Sequence, residues 1–255
     1  MKIKLSIITI AYNCASDLES TIKSVIAQGF SDYEYIVVDG GSKDASVEVI
    51  KKYESAISIW VSEPDKGIYD AMNKGLLMAT GEYVLFMNAG DTLYNTKTLA
   101  LIPFSDYPEA DIFYGETLIV DAKDNVLGLR HKELPHNLNW KHFRRGMVVC
   151  HQSFIVRKSI APEYNMQYKL SADVEWVLLC LKRSKQIVFT HTIIARFLEG
   201  GSSKKRHAES LKERFSIMRK YFGLPITLYN HFTFVLGMLA VKLKLKPYYR
   251  KNYLG

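Results

Sequence analysis

The chain has 255 residues, 48% hydrophobic and 24% charged, with a formal net charge of +8. That is an ordinary globular composition with ample length for a buried core. Three cysteines, Cys14, Cys150 and Cys180, are an odd number without metal-ligand spacing, which excludes a disulfide framework and points to a reducing cytosol.

The charge is uneven. Residues 201–255 hold twelve Lys and Arg against two acids, Glu209 and Glu213, and the first 200 residues come to −2. The basic partner surface, suited to an anionic partner, therefore lies in the C-terminal segment.

The first half alternates strand and helix. "MKIKLSIITIAYNCAS" opens with two lysines before an apolar run, like a signal peptide. The run is short and reaches Tyr12 and Asn13 without a small-x-small cleavage site, so it reads as a first buried strand. "SDLESTIKSVIAQ" reads as a helix opened by a Ser16-x-x-Glu19 capping box. "YEYIVVDGGS" is a second strand and "DASVEVIKKY" a second helix with Asp44 as its cap. "AISIWVSE" is a third strand, "GIYDAMNKGLLMA" a third helix, and "GEYVLFMNAGD" a fourth strand. This alternation implies βαβ units and a parallel sheet wound right-handed. In such sheets ligands bind beyond the carboxyl ends of the strands. Those ends are polar and acidic: Tyr12-Asn13, Asp39-Gly40-Gly41-Ser42, Glu63-Pro64-Asp65-Lys66-Gly67 and Asn88-Ala89-Gly90-Asp91.

The middle reads differently. "DIFYGETLIVDAKDNVLGLR" reads as a strand, a Gly turn and a hairpin around Asp124-Asn125. "VVCHQSFIVRK" reads as a strand, and "SADVEWVLLCLKRS" as a helix from near Ser171. "QIVFTHTIIARFLEGGSSKKR" reads as a strand pair leaving through a Gly-Ser loop. The tail reads as helical to about Leu245. No repeat, low-complexity linker or second core is evident.

The segments "ITIAYN", "VVDGGSKDAS", "SEPDKGIYDAMNKG", "FMNAGD", "CHQSFIVRK", "SADVEW" and "ARFLEGGSS" occur in order at fitting spacing. Together they resemble the family-two inverting glycosyltransferases, of the bacterial polysaccharide and lipooligosaccharide type, over roughly residues 3 to 220. The resemblance implies the GT-A fold, a Rossmann-like nucleotide-binding half with a mixed central sheet. It gives a glycosyltransferase domain over 1–220, with a nucleotide-binding half to about 115 and an acceptor half over 116–220. A basic, apolar helical tail follows over 221–255. It also implies a nucleotide-sugar donor, uridine being the family's commonest base, and a glycan or lipid-linked sugar as acceptor.

In the family the backbone after the first strand, here Ile10, Ala11, Tyr12 and Asn13, lies along the nucleoside. Tyr12 suits the flat face of a base, and Asp39 suits its N–H or a ribose hydroxyl. Gly40 and Gly41 let the chain turn without Cβ clashes. Asp65 and Lys66 precede a helix N-terminus, which favours anions. Asn73, further along that helix, either holds the Asp65 loop or contacts donor. The related enzymes carry an Asp-x-Asp-like motif at the fourth strand end. Asn88, Ala89 and Gly90 occupy it here, and only the last acid, Asp91, remains as a ligand for Mg²⁺ or Mn²⁺, with donor phosphates and waters completing the shell.

Inversion needs one carboxylate within reach of the acceptor hydroxyl, and Asp173 matches the family's catalytic acid. Its other reading is a first-turn acid stabilising the helix. Glu175, two residues on, points elsewhere. His151, in a family His-Gln pair, either contacts donor phosphate or acceptor, or satisfies a core hydrogen bond. The loop at Gly200 to Arg206 is either a lid over the donor or a mobile basic loop.

From Tyr221 to Val241 no residue is charged, although Asn230, His231, Pro225 and Gly237 interrupt the run. Beside "VKLKLKPYYRKNY" it suits interfacial attachment to an anionic membrane, which sets a cytoplasmic enzyme at the inner face of the cell membrane. The alternative is a helix packed on the catalytic domain or on another subunit. No stacking platform or recognition helix supports nucleic-acid binding. A dehydrogenase or a nucleotidyltransferase lacks its Gly-rich loop after the first strand. The competing class is a non-catalytic nucleotide- or glycan-binding module of the same fold.

Overall fold

A computed structural model describes residues 3–130, 132–200, 206–243 and 247–251. Four strands, β1 (Leu5–Ala11), β2 (Tyr33–Asp39), β3 (Ile59–Ser62) and β4 (Tyr83–Phe86), lie parallel in the order β3-β2-β1-β4. The helices α1 (Ala15–Ile26), α2 (Ser46–Lys52) and α3 (Ile68–Met78) connect them. Along β1 the side chains alternate between the two faces of the sheet. Ile8 and Ile10 join Met72 of α3 in one buried cluster, and Leu5 and Ile7 join Leu18, Ile22 and Val25 of α1 in another.

The sheet then becomes mixed. A two-residue strand β5 (Thr92–Leu93) follows β4, then β6 (Ile112–Val120), β7 (Val126–Leu129), β8 (Phe154–Arg157), helix α4 (Ala172–Arg183) and β9 (Ile187–Leu198). β8 is antiparallel to both β4 and β6, and β9 runs parallel to β6. The far edge of β9 takes β5, with Leu93 opposite Ala195. β5 follows β4 closely in the chain yet sits at the opposite end of the strand order, so the sheet curls round and brings Leu198 to Asp91. This mixed, curled α/β sheet is the expected GT-A fold. The chain ends in α5 (His207–Phe222) and α6 (Leu224–Lys242).

Five local expectations are corrected. The helix α1 begins at Ala15 and has no side-chain cap of its own. Its amide ends are met from α2's side, Ala15 N by Asp44 Oδ2 at 3.0 Å and Cys14 N by Ser46 Oγ at 3.2 Å, so Glu19 is released to bind Lys23, Lys52 and Tyr53. Gly115 makes no turn: it lies inside β6, where a Cβ would come within 2.5 Å of the Thr192 carbonyl on β9. The glycine therefore permits close strand approach. The "VVCHQSF" segment is strand only from Phe154, and His151–Ser153 forms a single 3₁₀ turn. The expected strand pair over "QIVFTHTIIARFL" is one strand with a bulge, His191 at φ +54°. The tail helix is broken at Gly223. The Gly201–Lys205 part of the expected lid, and Leu245, lie outside the described residues.

Candidate active site

The carboxyl ends of the parallel strands form one rim. At β1, Tyr12 is 60% exposed, and its ring approaches Gly40, where a Cβ would meet Tyr12 Cδ2 at 3.3 Å and Asp65 Oδ2 at 2.3 Å. Gly40 thus lets Tyr12 and Asp65 converge on a floor of bare backbone, a surface suited to a flat ring. The Ile10 and Ala11 carbonyls accept from Ala89 N at 3.1 Å and Gly40 N at 2.9 Å, which ties three strand ends together. Asn13 adopts φ +49° and its side chain accepts from Lys43 N at 2.8 Å.

Asp39 is fully buried. It accepts from Gly41 N at 3.1 Å, Ser42 N at 2.9 Å and Ser62 Oγ at 2.6 Å, and from the Ser42 hydroxyl. A carboxylate with four protein donors organises its own turn. The side chain expected to meet the base also holds the Gly41–Ser42 turn and Ser62.

The next loop leads into α3. Asp65 Oδ1 accepts from Gly67 N at 2.8 Å. Lys66 is exposed, and its ammonium makes no ion pair among the described residues. Asn73 faces away from this loop: its amide exchanges two hydrogen bonds with the Tyr164 backbone, at 3.0 and 2.6 Å. The loop is held instead by Lys74, which donates to Pro64 O at 3.1 Å and pairs with Glu63 at 2.7 Å.

At the end of β4 the chain turns through Asn88–Asp91, with Asp91 N donating to Asn88 O at 2.9 Å. Gly90 takes φ +96°, and its N–H donates to Thr21 Oγ1 at 3.0 Å. Asp91 is 5% exposed. One carboxylate oxygen accepts from Gln152 Nε2 at 2.7 Å, the other from Leu198 N at 3.1 Å. Burial, set against those hydrogen bonds, pushes its carboxyl up to about 6. Asp91 is enclosed and engaged on both oxygens, and no three His, Cys, Asp or Glu side chains gather anywhere among the described residues. Structural cation sites need several oxygen ligands, so these residues do not fit an ion held by the protein.

The remaining groups form a line across the rim. Asn88 Nδ2 lies 3.2 Å from His151 Nε2, and His151 Nδ1 lies 3.5 Å from Asp173 Oδ2. Tyr69 of α3 donates to Asp173 Oδ1 at 3.2 Å. Asp173 sits in the first turn of α4, and its side chain keeps 16% exposure. Burial raises its carboxyl, but His151's contact and charge, Arg214's charge and Tyr69's hydroxyl together outweigh it. The acid is held below its ordinary value. Asn88 Oδ1 is buried without a partner. Glu175 does point elsewhere: it is buried and receives Lys220, Tyr221 and Asn165. Sequence reasoning did not find Tyr69 or the grip of Gln152 on Asp91. The signal was a buried acid that requires a donor.

Comparison with known proteins gives the line a context. The glycosyl transferase family 2 model matches residues 6–164. A PGL/p-HBAD biosynthesis glycosyltransferase of Mycobacterium bovis is 29% identical over 206 residues, 77% of either chain. Crystal structures of S. aureus TarS superpose with TM-score 0.66 at 17% identity, over 91% of this chain and 44% of that one. This chain therefore spans under half of that TarS chain, of which residues 1–349 were solved with UDP-GlcNAc. The mannosyltransferase PcManGT of Pyrobaculum calidifontis, solved with GDP-Man and Mn²⁺, superposes with TM-score 0.64 at 15% identity, over 96% of this chain and 81% of that one. The chain belongs to glycosyl transferase family 2 and is a glycosyltransferase.

Proposed function

We propose that this glycosyltransferase moves a sugar from a nucleoside-diphosphate sugar to an acceptor hydroxyl by a single displacement, with inversion at the anomeric carbon and Asp173 as base. Residues 1–115 form the donor half, 116–220 the acceptor half and 221–255 an added tail. The observation that carries the reading is Asp173: a carboxylate kept ionised, partly open, and oriented by Tyr69 and His151. The acceptor O–H gives its proton to Asp173 as its oxygen bonds to the anomeric carbon. The bond from that carbon to the diphosphate oxygen breaks, and its electron pair leaves with the nucleoside diphosphate.

The donor lies over the rim. Tyr12 faces the base above Gly40, the Ile10–Asn13 backbone follows the nucleoside, and uridine is the base favoured. That solved relatives hold UDP-GlcNAc and GDP-Man supports this class of donor. Asn88 Oδ1, buried and unpartnered, accepts a donor hydroxyl beside Ala89 and Gly90. The free ammonium of Lys66 serves the departing diphosphate. A divalent ion, Mg²⁺ or Mn²⁺, is implied by resemblance, but Asp91 already accepts from Gln152 and Leu198, so no step is routed through it.

The acceptor is a glycan or lipid-linked sugar, handled in the cytoplasm at the inner face of the cell membrane. A panel of UDP, GDP, dTDP and CDP, read by thermal stabilisation, tests the donor site. One nucleotide should stabilise the fold and lose that effect in Tyr12→Ala; no response from any of the four contradicts the reading.

A further inference from the structure

Four cations converge in the acceptor half. Arg130, just past β7, donates to Cys150 Sγ at 2.9 Å and Met147 O at 3.3 Å. Lys132 donates to the carbonyl of Arg145. Arg214 of α5 has a buried Nε without a partner. Burial first, then the charges of Arg130, Arg214 and Arg145, pull the Lys132 ammonium down to about 7. Of the acids nearby, Glu213 takes the amides of Lys169 and Leu170 and Glu116 takes Arg250, which leaves Asp173 as the acid that feels the charge of Arg214. Like charges gathered at a half-buried place oppose folding, so the cluster suits an anion. It borders the base, since Cys150 precedes His151 and the charge of Arg214 acts on Asp173.

The cluster opens towards the tail. Arg145 and Arg144 line a cleft of about 350 Å³ whose other wall is Pro225, Ile226, Tyr229 and Asn230. Beyond it α6 exposes Phe232, Val235, Leu236 and Leu239 by 49–63%. Among the described residues α6 is the one helix long and apolar enough to cross a membrane. Both its ends are nevertheless tied to the catalytic domain. Its start packs on residues 140–145, and Arg250, eight residues past its end, pairs with the Leu129 backbone at 2.8 and 3.1 Å. A spanning α6 would carry its far end a hydrocarbon thickness from the catalytic domain, yet Arg250, tied to that domain, is only eight residues past it with Lys244 and Lys246 between, too short and too charged a return. A helix lying flat at the interface meets every constraint. From Arg214 to Gly255 no residue is acidic, which complements an anionic surface.

We propose that Arg130, Lys132, Arg145 and Arg214 seat the phosphate of a lipid-phosphate acceptor, whose chain runs through the Arg144–Tyr229 cleft to the membrane surface along α6. This rests on the transferase reading and names its acceptor class. The phosphate anchors the acceptor, and the attached sugar reaches back to Asp173.

The test uses the intact chain, with decyl phosphate and inorganic phosphate as probes and calorimetry as readout. Decyl phosphate should bind about ten-fold or more tighter than inorganic phosphate, since the chain adds apolar burial. Lys132→Met and Arg214→Gln, on separate elements, should each weaken decyl phosphate by about ten-fold or more while leaving nucleoside diphosphate binding within about two-fold. Equal affinity for the two probes removes the lipid and overturns the proposal. Parallel loss of nucleoside diphosphate binding in both variants gives the cluster to the donor and overturns it too. Failure of the transferase reading shows separately, as an unmutated chain that binds no nucleoside diphosphate.

Discussion

The two halves of the molecule handle charge in opposite ways. On the donor rim the acids are satisfied by the protein: Asp39 takes four donors, and Asp91 takes Gln152 and Leu198. In the second half, over residues 116–220, the cations stand together, with Arg214 Nε left unpartnered. An acid at a strand end is therefore first a device for turning the chain, because buried amides require acceptors. Charge in excess of its counter-charge is the better guide to a ligand.

The contrast can be broken most sharply at Asp173, a partly open acid in the first turn of α4 and the base in the proposed mechanism. Asp173→Asn should lower transfer by about 10²–10⁴-fold, the scale of a lost general base, with nucleotide binding unchanged. Unaltered turnover would return Asp173 to the role of helix-end acid.

Asp91→Ala comes next. It strands two buried donors, Gln152 Nε2 and Leu198 N, at a cost of about 1–3 kcal/mol each. The melting temperature should fall without any nucleotide present. A variant as stable as the parent, but deaf to Mn²⁺ with nucleotide, would restore the metal role. The sign with pH follows from burial: a carboxyl raised to about 6 in the fold, against about 3.9 unfolded, lends its full stability below about pH 4 and loses it as pH rises through 6. Stability relative to Asp91→Asn should decline across that window and level off above it.

Lys132→Met probes the other half with opposite sign. Held down to about 7 in the fold, the ammonium opposes folding most below pH 7, and its burden fades as pH rises towards the ordinary lysine range. The variant should melt a few degrees higher at pH 6 than the parent, with the gain shrinking by pH 9. A loss at pH 6 would mean that the cluster is already neutralised. The smallest effect belongs to Tyr69→Phe. Without that hydroxyl on Asp173 the acid's pKa rises, so the acidic limb of the pH–rate profile should move to higher pH with only a modest loss at the optimum. An unmoved limb would detach Tyr69 from the base.

Much of the donor half was legible because β1, β2 and β4 are buried on both faces and read as continuous apolar runs. Asp173 was legible because it opens a helix inside a recognisable motif. What escaped was decided at a distance. Ser16 and Glu19 fit a local capping box, yet Asp44 and Ser46 reach across from the next helix and take the amides. Asn73 and Lys74 are neighbours on α3, and only the position of Tyr164 shows that Lys74 is the one holding the Asp65 loop. Gly115 looks like a turn until β9 lies against it. The cation cluster draws on segments up to 84 residues apart, Arg130 to Arg214, and no spacing rule joins them.

The most direct measurement is nucleoside diphosphate release from a panel of nucleotide sugars with a lipid-phosphate-linked acceptor, comparing the parent with Asp173→Asn and reading product configuration by NMR. The account predicts one preferred donor, an inverted anomeric centre, and a variant that binds the nucleotide normally and releases almost none. Retained configuration, or a variant as active as the parent, would contradict it.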